Sequence, residues 1–111
     1  MSEPFRLIAL AREIRDEVNR LTLAARPRLL HHTQLQQSAQ SIPANIREAY
    51  GRAAGKDRKQ FLRFARGSAE ETDEHLLSNR SARLLPDNQY WRLHHRLVLA
   101  IKMLNTLLEK P

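Results

Sequence analysis

The chain has 111 residues, and its 19 Lys and Arg outnumber its 12 Asp and Glu to give a net charge of +7. It contains no cysteine, which excludes disulfides, thiolate catalysis and cysteine-ligated metal sites. No apolar run approaches the roughly 18 residues that span a bilayer, and acids lie too early in the chain for a signal peptide, so we expect a cytoplasmic protein.

A single domain over residues 1–111 is predicted from this length. The long apolar periodicity of about 3.6 residues predicts an all-α fold. The first helix is predicted from about Pro4 to Ala25, with an apolar stripe formed by Leu7, Ile8, Ala11, Ile14, Val18, Leu21 and Ala25. The second helix is predicted from about Leu30 to Ala53, with an apolar stripe formed by Leu35, Ala39, Ile42, Ile46, Ala49 and Tyr50.

The third helix is predicted to begin after Gly55 and to continue to about Leu84. Asp57 is its candidate N-cap, because a carboxylate there can accept from the first free amide groups of a helix. Its apolar residues are Phe61, Leu62, Phe64, Ala65, Ala69, Leu76 and Leu77.

The fourth helix is predicted to follow Pro86, with Asp87 or Asn88 as its N-cap. Its seam consists of Tyr90, Leu93, Leu97, Ile101, Leu104 and Leu108. These residues recur at spacings of three or four, which is typical of helices packed nearly parallel or antiparallel. Four helices of about 22 residues joined by short connections therefore predict an up-down-up-down antiparallel four-helix bundle.

The apolar stripes are wider than one partner helix would cover. This is clearest in the fourth helix, where Val98, Leu99 and Leu107 lie beside the seam. A wide stripe in a small bundle is either core or a subunit interface, and both interpretations stay open.

A proline interrupts the second predicted helix at position 43. An interior proline costs about 3 kcal/mol, because it removes one backbone hydrogen bond and crowds the carbonyl four residues back. One interpretation is a tolerated kink that bends the helix around its neighbours. The other is that Pro43 orients Asn45 and Glu48, which share one face of the helix.

Two segments, SIPANIREAYGR at residues 41–52 and KDRKQFLRFARGSAEETDEHL at residues 56–76, carry a family pattern. They resemble the small four-helix proteins encoded by intervening sequences in bacterial 23S ribosomal RNA genes. The matching residues are Ser41, Ile42, Pro43, Asn45, Ile46, Glu48, Tyr50, Gly51, Arg52, Phe61, Leu62, Ala65, Arg66, Gly67, Ser68 and Glu71. The chain departs from the pattern at Arg47 and Ala49, where the family has Ala and Gly.

The resemblance implies an up-down-up-down bundle that assembles as a homopentamer around a central channel. It also implies a relation in fold to the accessory protein of diversity-generating retroelements, which is basic and binds both nucleic acid and a reverse transcriptase. No activity is established for the intervening-sequence proteins themselves.

Polar residues of the two segments are predicted to meet if the second and third helices are antiparallel neighbours. The expected cluster contains Asn45, Glu48, Arg66, Ser68 and Glu71, with Pro43 shaping its approach. It combines a cation, carboxylates and an amide, as a partly buried polar junction requires. We expect it to set helix register or a subunit contact rather than to catalyse a reaction.

Cations are concentrated between residues 47 and 66, where seven Lys and Arg face only two acids, a local net charge of +5. The candidate nucleic-acid-binding residues are Arg47, Arg52, Lys56, Arg58, Lys59 and Arg63. Phosphates neutralised by such a group release counterions, so binding would depend strongly on salt. The alternative is a solvated helix end without a ligand.

Other chemistry finds little support in the sequence. The two histidines of each adjacent pair, at residues 31–32 and 94–95, would point about 100° apart on a helix, so they would not face one metal ion. The Glu-x-x-His motif of the di-iron bundles does not occur. We therefore predict no metal, no cofactor and no enzymatic activity.

The expected function is nucleic-acid binding by a basic oligomer, acting as a scaffold or accessory factor. The alternative is a module that docks an acidic protein partner such as a reverse transcriptase.

Overall fold

The computed structural model describes residues 3–51 and 54–111. Four helices follow one another along the chain: α1 (Glu3–Ala24), α2 (His32–Gly51), α3 (Gly55–Ser81) and α4 (Asp87–Glu109). Each helix packs against the next, and α4 returns to pack against α1. The molecule is elongated, 45 × 21 × 21 Å, as expected for helices aligned along one axis. The predicted all-α, up-down-up-down antiparallel four-helix bundle is confirmed.

The core of α4 follows a strict heptad rhythm. Its buried residues are Tyr90, Leu93, Leu97, Ala100, Leu104 and Leu107, at spacings of three and four in alternation. Two residues of the predicted seam, Ile101 and Leu108, are only partly buried and pack at the edge of the core. A helix packed against antiparallel neighbours presents positions a and d of a heptad, and the small Ala100 occupies such a position where the larger Ile101 does not.

The buried face of α3 follows the same rhythm and includes two polar residues. It consists of Leu62, Ala65, Ala69, Thr72, Leu76 and Asn79. Phe64 and Leu77 were predicted to be core residues, but they are 49% and 43% exposed. They lie about 100° to either side of the buried face, because each residue advances that angle around a helix. The stripes of α1 and α2, by contrast, are buried or packed at the core edge as predicted.

Neither predicted side-chain cap forms at the N-termini of α3 and α4. The residue at the N-cap of α3 is Ala54, and that of α4 is Pro86. Asp57 and Asp87 lie inside the first turns instead. A carboxylate there still interacts favourably with the positive end of the helix dipole.

The third helix ends at Ser81, earlier than the predicted Leu84. The Leu84 amide donates to the Asn79 carbonyl at 2.9 Å, and the Arg83 amide donates to the Arg80 carbonyl at 3.0 Å. Arg83 adopts a φ of 62°. This pattern is the Schellman motif, which closes a helix through one left-handed residue.

A buried side chain ties the α1–α2 connection to α3. The Asn79 amide oxygen accepts from the Leu30 amide at 2.7 Å, and its nitrogen donates to the Leu30 carbonyl at 3.1 Å. His31 adopts a left-handed conformation with a φ of 52°, so α2 begins at His32 and not at the predicted Leu30. Leu29 and Leu85 are 4% exposed and close this end of the core.

The second helix continues without interruption through Pro43, which is buried. Its predicted end at Ala53 lies outside the described residues, and the helix is described as far as Gly51. Among the described residues, no helix is long and apolar enough to cross a bilayer.

Candidate functional site

One end of the bundle collects most of the predicted cations. It brings together the N-termini of α1 and α3 and the C-termini of α2 and α4, and we call it the basic end. A groove of about 520 Å³ opens there, which we call the basic groove. Lys56, Arg58, Lys59 and Lys110 line it with cations. Apolar contributions come from Pro4, Tyr50, Leu62 and Leu107.

Arg58 is held in a defined position within the basic groove. Its Nε donates to the Ala49 carbonyl at 2.9 Å, near the C-terminus of α2. Its guanidinium carbon lies 4.7 Å from the centre of the Tyr50 ring. A cation at this distance over an aromatic face is attracted to it. Arg58 therefore joins the end of α2 to the start of α3 in addition to lining the groove.

Tyr50 forms the wall between the basic groove and a second groove of about 500 Å³ between α1 and α2. Burial raises the pKa of the Tyr50 hydroxyl, and the nearby Arg58 charge opposes that rise only in part. The hydroxyl is thus neutral around neutral pH. Arg12 and Arg47 line the second groove together with Phe5 and Ile8.

The predicted nucleic-acid-binding residues fall on neighbouring surfaces of the basic end. Lys56, Arg58 and Lys59 line the basic groove, and Arg47 lies on the other side of Tyr50. Arg63 is exposed one turn beyond Lys59, and the two share a shallow depression with Lys56. Arg52 lies outside the described residues.

Sequence analysis missed two cations of this end. Lys110 reaches the basic groove from the end of α4, and Arg12 reaches the second groove from α1. Both lie far from residues 47–66 along the chain. The predicted antiparallel topology could have revealed them, since it places the start of α1 and the end of α4 beside the start of α3.

The predicted polar cluster separates into different contacts. Asn45 Nδ2 donates to the hydroxyl of Ser41 at 2.8 Å and to the Ser41 carbonyl at 2.9 Å. The Ser68 hydroxyl, from α3, donates to the same Ser41 hydroxyl at 2.9 Å. Asn45 and Ser68 are thus brought together as expected, with Ser41 as the link between α2 and α3.

Two charged members of the predicted cluster, Arg66 and Glu71, bond elsewhere. Arg66 donates to the Asn105 side chain of α4 at 2.8 Å. Glu71 is exposed and pairs with His75 one turn further along α3 at 3.2 Å. Glu48 is partly buried. The structure therefore places Asn45 and Ser68 at one interhelical contact, Arg66 at another and Glu71 in a surface pair.

Two further polar contacts in the bundle interior were not predicted. The Thr72 hydroxyl donates to the Ser38 hydroxyl at 2.8 Å, next to the Ser41–Ser68 pair. Between α1 and α4, Glu17 pairs with two arginines: its Oε1 is 2.7 Å from Arg92 Nη2, and its Oε2 is 3.3 Å from Arg96 Nη1. The Glu17 side chain is only 7% exposed, so this pairing satisfies a nearly buried charge.

The histidines lie towards the end of the bundle opposite the basic end. His94 Nδ1 is 2.8 Å from a carboxylate oxygen of Asp73, and the His31 and His75 rings lie 5.1 Å apart. Within residues 3–51 and 54–111, no group of three or more His, Cys, Asp or Glu is placed to hold a metal ion.

These features define a small all-α protein whose polar contacts join helices and whose cations gather around a groove at one end. The family model for the 23S rRNA-intervening sequence protein matches residues 4–106, and the chain belongs to that family. The predicted family membership is thus confirmed.

A solved structure supports the fold independently. It is a protein of unknown function from the S23 ribosomal protein family of Bacteroides thetaiotaomicron, with 20% sequence identity to this chain and a TM-score of 0.92. The match covers 98% of this chain and 100% of the other. Comparison with curated protein sequences returns no match.

Proposed function

We propose that the protein is a non-enzymatic, basic and oligomeric four-helix-bundle protein that binds RNA or DNA as a scaffold or accessory factor. The observation that carries this proposal is the convergence of Lys56, Arg58, Lys59 and Lys110 on one groove. Three of these cations lie in the first two turns of α3, and Lys110 follows the end of α4, about 50 residues further along the chain. A cluster of this kind attracts a polyanion and neutralises its phosphates, with release of counterions.

Assembly would strengthen this binding by repeating the basic end. Several large apolar side chains are at least 42% exposed, as a subunit interface would require: Phe5, Leu23, Leu30, Phe64, Leu77, Trp91 and Leu99. The resemblance favours a homopentamer. Each subunit of such a ring would contribute one basic groove, and several weak contacts on one polyanion combine into strong binding.

The test is a charge reversal at the basic end with a matched control. Lys56, Lys59 and Arg63 change to Glu in one variant, which moves the charge of residues 47–66 by six, from +5 to −1. Arg58 is left intact because it holds the end of α2. The control reverses Arg20, Arg28 and Arg83, which are exposed and lie towards the opposite end.

Both triple variants have the same total charge, so a difference between them locates the site. For duplex DNA, each phosphate contact contributes about 0.9 to the slope of the logarithm of the binding constant against the logarithm of the salt concentration. We expect the basic-end variant to lower this slope by about 2 to 3 and the control to leave it nearly unchanged. Titrations of labelled RNA and DNA over a series of salt concentrations measure it.

Two results would contradict the proposal. Equal weakening by both variants would show attraction by total charge without a site, and undiminished binding by the basic-end variant would exclude that end. If the protein captures a partner protein from a cell lysate and nuclease treatment does not abolish the capture, the docking of an acidic protein would be favoured instead.

A further inference from the structure

The basic groove offers two different kinds of surface to a ligand. Lys56, Lys59 and Lys110 supply positive charge, while Pro4 and Leu107 are among its apolar lining residues. A duplex presents mainly phosphates to such a surface, because its base faces are stacked on one another. An unpaired nucleotide presents both a phosphate and an apolar planar base.

Arg58 has the geometry of a stacking platform within this groove. The bond from its Nε to the Ala49 carbonyl fixes one edge of the guanidinium, and the guanidinium carbon lies over the Tyr50 ring, 4.7 Å from its centre. Guanidinium planes, like aromatic rings, stack on unpaired bases. A side chain that is already held in place loses little conformational freedom when a base settles on it.

We propose that the basic groove binds one unpaired nucleotide of a single-stranded nucleic acid, with the base stacked on Arg58 and the adjoining phosphates held by Lys56, Lys59 and Lys110. This inference rests on the proposed nucleic-acid binding and specifies which form is preferred. The volume of about 520 Å³ lies within the range of small-molecule sites.

The charges around the groove agree with this assignment. Lys110 Nζ lies 3.5 Å from a carboxylate oxygen of Glu3, at the exposed rim of the basic end. This pair is long and exposed, so a phosphate can take the place of the carboxylate at little cost. An acidic peptide would satisfy the lysines but would leave the apolar walls and the Arg58 plane without a planar partner.

The test replaces the planar cation and keeps the charge. Arg58→Lys retains one positive charge but removes the guanidinium plane. The matched control is Arg20→Lys, the same exchange at an exposed position towards the opposite end of the bundle. Affinities are measured for a labelled single strand of about 12 nucleotides and for the duplex of the same sequence.

We expect wild-type protein to bind the single strand more tightly than the duplex. Arg58→Lys should weaken single-strand binding about tenfold, the effect of losing one stacked base, and should leave duplex binding unchanged. Arg20→Lys should change neither affinity by more than a small factor. Circular dichroism and thermal unfolding show whether Arg58→Lys remains folded after losing the bond to Ala49.

A measurement on the wild-type protein keeps the test independent of folding. NMR titration with adenosine monophosphate and with ribose 5-phosphate compares two ligands that share a phosphate and differ in the base. We expect the Arg58 Nε signal to shift with the nucleotide and much less with the sugar phosphate.

The outcomes separate this inference from the function on which it rests. Equal affinity for single strand, duplex and inorganic polyphosphate would overturn the nucleotide site and leave nucleic-acid binding in place. Equal shifts with the nucleotide and the sugar phosphate would overturn it too. Absence of binding to any nucleic acid would overturn both.

Discussion

Asn79 shows how much one buried polar side chain contributes at the scale of a residue. It is fully buried, and it bonds to the amide and to the carbonyl of Leu30 as well as to the His75 carbonyl. A buried amide is stable only when its donors and acceptors find partners. Here the partners are backbone groups of the α1–α2 connection, so Asn79 determines where that connection lies.

We predict that Asn79→Ala lowers the free energy of unfolding by about 1 to 3 kcal/mol. The reason is that the variant leaves the amide and carbonyl of Leu30 without their partner in a partly buried place. Urea or thermal unfolding measures the loss. The control is Asn88→Ala, the same change at an exposed position in the first turn of α4. A loss as small as that of the control would contradict the prediction.

Residue-scale contacts were the part of the structure least accessible from the sequence. The cations of residues 47–66 are readable directly, because charge is a property of the residue type. The bond from Arg58 to Ala49 depends on how α2 and α3 meet, and no sequence pattern encodes it. Phe64 was assigned to the core for its apolar side chain, although its angular position on α3 places it outside.

At the scale of the helix, Pro43 is an interior proline in a helix that stays continuous. Its effect on stability has two opposing parts. Removal of the proline restores one backbone hydrogen bond and relieves crowding, worth about 3 kcal/mol. It also removes two buried ring methylenes, worth about 1.5 kcal/mol.

We therefore predict that Pro43→Ala keeps the helix content and raises the free energy of unfolding by about 1.5 kcal/mol, the balance of those two effects. Circular dichroism and thermal unfolding measure both quantities. Pro4→Ala is the matched control, because proline is compatible with the first turn of α1 and its removal should bring no gain. Loss of assembly in Pro43→Ala would instead show that the proline orients Asn45 and Glu48.

The helices themselves were predictable because the apolar period is long and repeated. All four were found, with differences of a few residues at their ends. Those differences have local causes: a left-handed residue at His31 precedes α2, and a left-handed residue at Arg83 closes α3. Polar heptad positions such as Thr72 also escaped prediction, because a search for apolar stripes passes over them.

At the scale of the whole molecule, the exposed apolar side chains favour assembly into an oligomer. Exposed apolar residues scattered singly need no explanation. Here Phe5 and Leu23 are 66% and 68% exposed and share one side of α1, five helical turns apart. Leu99 on α4 is 50% exposed. Such positions are consistent with burial between subunits.

We predict a species several times heavier than the 12.9 kDa chain at micromolar concentration, with five copies giving about 64.5 kDa (5 × 12.9). The physical reason is burial of the exposed apolar side chains between subunits. Sedimentation velocity measures the mass, and dilution measures how tightly the subunits associate. A monomer throughout the concentration range would contradict assembly, and with it the repetition of the basic end.

The bond between Asn79 and Leu30 also has a consequence for the rates of folding and unfolding. It joins residues 49 positions apart, and we expect it to form late in folding, after α2 and α3 have packed. Contacts that form after the folding transition state slow unfolding and leave the folding rate unchanged. Asn79→Ala should therefore unfold about 5 to 150 times faster, the rate equivalent of its loss in stability, while folding at the wild-type rate. The Asn79 side chain then increases the lifetime of the native bundle without changing how fast the bundle forms.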